Sequence, residues 1–188
     1  MLAYVFWHWP QSAVPPDEYE ETQRAFHAAL QAAPSTGFRG SASYAVAGYP
    51  WVPGSRPAYE DWYLVDDSAA LDPLNEAAVT ASRSAPHNAA AKLAAGGTAG
   101  IYRLRLPAEL PANLPHRGQE SWFSKPPGMS YDALWSLMGQ IVEDHQAQLW
   151  IRHMVLGPSP EFCLQSGKPL RLPPPIAPLT IPLRPVWP

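Results

Sequence analysis

LAYVFWHW at Leu2–Trp9 and, past a proline-marked loop, DEYEETQRAFHAALQAA at Asp17–Ala33 set the architecture of this chain. The first stretch is rich in aromatic and β-branched residues and is ended by Pro10, which predicts a strand. It is apolar on both faces, so the strand belongs in the middle of a sheet. In the second stretch Tyr19, Thr22, Phe26, Leu30 and Ala33 recur at helical spacing and predict a buried stripe. Asp17 with Glu20 three residues later resembles a capping box. Glu18, Glu21, Arg24 and His27 fall off the stripe, which predicts a solvated His27.

Working outward, Phe38–Ala47 and Glu60–Val65 read as strands, separated by a rigid turn region at Gly48–Gly54. Asp72 followed by Pro73 reads as a helix start, and the alanine-rich stretch to Ala95 as helix, split by Pro86 near Ser84 and ended by Gly96-Gly97. Gly100–Leu106 is a further strand. The order strand, helix, strand, strand, helix, strand is the split βαβ, ferredoxin-like arrangement. Pro107–Gly118 reads as a linker. A second strand–helix start follows at Glu120–Lys125 and Ser130–Glu143, with strands expected at Gln148–Gly157 and Glu161–Gln165.

The expected fold class is therefore α+β: a βαββαβ module over 1–107, a truncated βαββ module over 119–166, and a proline-rich strap over 167–188. The strap holds 8 prolines among 22 residues. It also carries Leu170, Leu172, Ile176, Leu179, Ile181, Leu183, Val186 and Trp187, too many apolar residues to stay solvated, so it is expected to lie across the body or a partner subunit.

Of the 188 residues 46% are hydrophobic, ample for a buried core, and net charge is −3 with 15% charged. Lys and Arg are scattered singly, so no nucleic-acid partner is expected. No apolar run is long enough to span a membrane, and the N-terminus lacks the basic lead of a signal peptide, which makes a cytoplasmic protein the expectation. The single cysteine, Cys163, excludes an intramolecular disulfide framework and reads as a small apolar residue. The six histidines are dispersed without metal-ligand spacing, nothing marks a haem axial position, and Gly96-Gly97 precedes a strand instead of a helix. No metal and no cofactor are expected.

The element order at Leu2–Leu106, with its truncated second copy, resembles the dimeric α/β-barrel superfamily built on ferredoxin-like modules. The resemblance implies two sheets facing each other, usually from two chains, so a homodimer is one assembly it implies, and sometimes from two repeats of one chain. It covers small monooxygenases, muconolactone-isomerase-like proteins, haem-dependent chlorite dismutases and dye peroxidases, and no motif carries a catalytic residue over from them. With helices on one sheet face, the alternate residues on the other face should point into a space between sheets. Sorting each strand by that rule collects His8, Asp61, Tyr63, Arg103 and Arg105, joined by Trp150 and Arg152. Arginine forks suit a carboxylate, and His or Tyr can move a proton near neutral pH. His8 is expected as acid or base, Tyr63 as orienting group, and Asp61, Arg103, Arg105, Trp150 and Arg152 as ligand contacts. The expected partner is a small anionic or aromatic organic ligand, with oxygenase or isomerase chemistry. The competing expectation is a non-catalytic assembly protein whose arginines pair with Asp61 or Glu60 and whose aromatic faces fill a core.

Overall fold

The computed structural model describes residues 1–53, 57–110 and 117–188. Gly54, His116 and the middle of the expected 107–118 linker lie outside the described residues. In chain order the elements are β1 (Leu2–Pro10), α1 (Pro16–Ala32), β2 (Phe38–Val46), β3 (Ala58–Val65), a 3₁₀ turn (Ser68–Ala70), α2 (Leu71–Ala78), α3 (Ala81–Leu93), β4 (Ala94–Leu106), β5 (Gln119–Phe123), α4 (Tyr131–His145), β6 (Gln148–Arg152), β7 (Phe162–Ser166), β8 (Leu179–Pro182) and β9 (Arg184–Trp187). The class is α+β. The chain divides into Met1–Ala99 with Arg184–Pro188, and Gly100–Leu183, the division falling inside β4.

In the first unit the strand order is β4–β1–β3–β2–β9. The sequence predicts an order of elements along the chain and no spatial strand order. β1 and β3 are antiparallel, with Tyr4 opposite Tyr63, Phe6 opposite Asp61 and His8 opposite Tyr59. The expected capping box does not form. Pro16 opens α1 behind Pro15, which offers no side-chain cap, and Asp17 and Glu18 sit in the first turn, where carboxylates suit the helix dipole. Glu20 is instead buried and accepts from Arg184 and from the Tyr59 hydroxyl at 3.2 Å. Asp72 lies within α2 and does not cap it; Asp67 caps the preceding 3₁₀ turn, accepting from the Ala69 amide at 2.9 Å. The alanine-rich stretch breaks at Val79–Thr80, not near Ser84, and Pro86 is carried inside α3. Thr80 closes α2 by donating to the Glu76 carbonyl at 2.8 Å, and Ala81 takes a left-handed φ of 50°.

β4 presses its backbone against aromatic side chains of β1. A Cβ at Gly97 would stand 2.3 Å from the Phe6 ring and 3.0 Å from the Trp7 carbonyl oxygen. Phe6 cannot swing aside freely, because its ring stacks between those of Tyr4 and His8. Gly97→Val is therefore expected to destabilise the protein by about 1–3 kcal/mol, read as a lowered midpoint in urea unfolding. An unchanged midpoint would show that the strand has room.

In the second unit the order is β8–β5–β7–β6–β4. Ser130 caps α4, its Oγ accepting from the Ala133 amide at 3.1 Å, and Gln146 ends the helix in the left-handed region. Leu134, Met138 and Val142 of α4 pack on Phe123, Leu149, Phe162 and Leu164, with Leu172 and Ile176 of the proline-rich segment completing the cluster. That segment then forms β8, antiparallel to β5 with Ile181 opposite Glu120. β9 pairs with β2 in the first unit. β8 and β9 each stand at the end of a strand order, and prolines, which cannot donate to a ladder, are tolerated on such edges.

Two expectations are corrected. β6 ends at Arg152 and does not run to Gly157; the chain turns there, with Met154 at φ 56° and Met154, Val155 and Leu156 exposed. The expected α/β barrel is not formed by the described strands, whose order is open and ends on β9 and β8.

Candidate functional site

Alternation along β1 sends Ala3, Val5 and Trp7 to one face and Tyr4, Phe6 and His8 to the other. The sequence reading turned the second set away from the helices. The structure places it beneath α1: His8 Nδ1 lies 2.7 Å from the Tyr19 hydroxyl, and His27 stacks on Tyr63 at 5.4 Å between centroids. The physical reason is that α1 brings polar partners of its own, Tyr19 to His8 and His27 to Asp61, which offset part of the cost of burying these groups. The opposite face is no less enclosed. There Glu60 accepts from the indole N–H of Trp7 at 2.5 Å and from that of Trp62.

The centre of the α1-facing cluster is the Asp61 carboxylate. Its Oδ2 lies 3.2 Å from His8 Nε2 and 3.3 Å from His27 Nε2, and it accepts from the Tyr63 hydroxyl at 2.8 Å. The two imidazole approaches are ion-pair contacts: among the described residues neither Nε2 makes a hydrogen bond of good geometry, and neither does Asp61 Oδ1. His8, His27 and Asp61 are 2%, 0% and 1% exposed, so bulk water does not screen these contacts. One proton assignment fits every contact: Nε2–H of both rings faces Asp61, while Nδ1 of His8 accepts from Tyr19 and Nδ1 of His27 accepts from Ser41 Oγ at 2.7 Å.

The electrostatics follow. Burial alone raises the Asp61 carboxyl, but the charge that His8 and His27 can carry, with their short contacts, outweighs it and holds the group well below the usual carboxylate range. Burial and the neighbouring Asp61 charge push the Tyr63 hydroxyl well above its ordinary value. Burial first, then Asp61 and Tyr59, raise Tyr19. The cluster is an ionised carboxylate that accepts from the Tyr63 hydroxyl and is in contact with two imidazoles.

Three of the seven residues singled out from the sequence, His8, Asp61 and Tyr63, thus meet. The other four belong to the second unit and have settings of their own there. Arg103 and Arg105 are exposed, the Arg105 guanidinium lying 4.8 Å over the Trp135 ring. Arg152 donates to the Ser159 carbonyl, and Trp150 is buried in β6 opposite Leu104 and Cys163. Among the described residues no group of three or more His, Cys, Asp or Glu is placed to hold a metal ion, and no helix is long and apolar enough to cross a membrane.

Sequence reasoning missed His27, expected in solvent. It flanks the Tyr19–Phe26–Leu30 stripe, and Glu20, Gln23 and His27 form a second buried line at helical spacing. That line was legible as a polar extension of the stripe. A Glu-x-Trp spacing was legible too, since i and i+2 on a strand share a face. Trp62 donates to Glu60, and in the second unit Trp122 donates to Glu120 at 2.9 Å beside Gln165 at 2.5 Å.

With this geometry in place, the fold can be set beside known structures. No protein-family model and no curated protein matches the sequence. Solved structures do match in backbone. One is a candidate monooxygenase of Fusobacterium nucleatum subsp. nucleatum, with a TM-score of 0.68, 9% identity, and coverage of 98% of this chain and 92% of that one. Another is a candidate chlorite dismutase, with a TM-score of 0.55, 10% identity, and coverage of 98% and 95%. At these identities the likeness establishes a shared fold.

Proposed function

We propose that the protein binds a small anionic or aromatic organic compound and carries out proton-transfer chemistry on it, of the kind a cofactor-independent oxygenase or isomerase uses. The observation that carries this reading is the single Asp61 oxygen in contact with both imidazoles, beneath a hydroxyl-bearing aromatic wall. In it His8 is acid or base, Asp61 fixes its tautomer, and Tyr63 orients the ligand. A fold shared with a structure named as a candidate monooxygenase agrees with this reading. The order β8–β5–β7–β6 further supports reading the second unit as a copy of the first, with β8 in the place of β4 and the second helix missing.

The test is a thermal-shift screen of small aromatic acids and phenols. Compounds that raise the melting temperature are then incubated in deuterated buffer, and C–H exchange is followed by NMR. Exchange is expected with wild type and is expected to fall about 10²–10⁴-fold in His8→Gln, corrected for the folded fraction. Binding without exchange, or exchange untouched by the substitution, would remove His8 from the chemistry.

A second reading, assembly without catalysis, is favoured by Met154 and Val155, 75% and 84% exposed at the β6 turn. Light scattering of wild type and Val155→Asp distinguishes it: a dimer dissociated by the substitution supports assembly through this turn.

A further inference from the structure

The first unit contains a second hydroxyl–imidazole–carboxylate line, whose hydroxyl, that of Ser41, the proton-transfer reading leaves unused. Ser41 stands on β2 opposite Tyr63. Its Oγ is 2.7 Å from His27 Nδ1, and His27 Nε2 is 3.3 Å from Asp61 Oδ2. With Nε2–H turned to the carboxylate, the Nδ1 lone pair faces the serine hydroxyl, which is the order of groups that activates a nucleophilic serine. The imidazole is held between rings, Tyr63 at 5.4 Å and 8° and Trp187 at 6.3 Å and 19°.

Exposure separates this line from its counterpart through His8. Tyr19 is 1% exposed, whereas Ser41 is half-buried and therefore partly open to solvent while its base and carboxylate are not. Among the described residues β9 pairs with β2 at Ser43, Tyr44 and Ala45, and the outer edge of β2 at Gly40 and Ser41 has no strand partner. Edge amides of that kind are the type of donor that an oxyanion requires.

We propose that Ser41 is a nucleophile toward small carboxylic esters, with His27 as general base and Asp61 as positioning residue. Ser41 Oγ attacks the ester carbonyl carbon as its proton passes to His27 Nδ1. The bond to the alkoxy oxygen then breaks, and the leaving alcohol takes that proton. Water, deprotonated by His27, attacks the acyl-serine and releases the carboxylic acid, restoring Ser41. The sum is ester plus water giving acid plus alcohol, with no change in oxidation state.

The test uses the full chain and a fluorophosphonate probe, which bonds phosphorus to the serine oxygen and expels fluoride. One adduct per chain is expected by intact mass, located on Ser41 by fragmentation and absent from Ser41→Ala. In His27→Gln the labelling rate is expected to fall about 10²–10⁴-fold, and p-nitrophenyl acetate hydrolysis above the buffer rate should follow the same order. Melting curves establish that each variant is folded, and the wild-type result stands without any variant. No adduct on folded wild type, an adduct on another residue, or equal labelling of Ser41→Ala overturns the proposal. The inference does not depend on His8: failed labelling with ligand exchange intact overturns it alone, and lost exchange with Ser41 labelled overturns only the His8 reading.

Discussion

Asp61→Asn is expected to destabilise the protein by about 3–5 kcal/mol, the cost of removing one partner from a buried charged cluster and leaving the others uncompensated. The carboxylate is 1% exposed and its Oδ2 receives three contacts, so no water replaces what the amide fails to supply. The same group makes wild-type stability depend on acid. Its folded-state pKa is depressed, so its contribution is present in full above the unfolded value, near pH 4, and is withdrawn as pH falls from there toward the folded value. Urea unfolding at a series of pH values should show this acid limb in wild type and a flatter one in Asp61→Asn. A mutant within about 0.5 kcal/mol of wild type would place the network outside the stability of the fold.

Ile181→Asp is expected to cost about 4 kcal/mol or more, since it puts an unpaired charge at a site 4% exposed. The position tests the role of the proline-rich segment. If β8 is an integral strand beside β5, the variant loses the cooperative unfolding of the second unit, measured by circular dichroism and by protection of the β5 amides in hydrogen exchange. A variant as stable as wild type, with β5 still protected, would show that the segment merely rests on the surface.

How far the sequence could be read follows from what each element depends on. β1, α1 and β3 were legible because their patterns are local: aromatic and β-branched runs ended by proline or aspartate, and apolar residues at helical spacing. The break at Val79–Thr80 was not, because proline is the usual marker and here Pro86 is accommodated within the helix while Thr80 closes the turn before it. The end of β6 at Arg152 was hidden by an apolar Met154-Val155-Leu156 run that the chain leaves in solvent.

His8, Asp61 and Tyr63 could be grouped because alternation on adjacent strands is a property of the residues themselves. Which side of the sheet they face could not be read, since strand alternation is symmetric until a helix chooses a side. α1 chose it by bringing Tyr19 and His27 onto His8 and Tyr63. The sequence by itself determined the α+β class and the shared face of three polar residues. Only the tertiary structure decided that this face lies under a helix, that His27 completes it, and that the last prolines sit on sheet edges. Those outcomes depend on pairings between distant segments, as between Ile181 and Glu120 or Trp187 and Ser43, whose energies no local pattern contains.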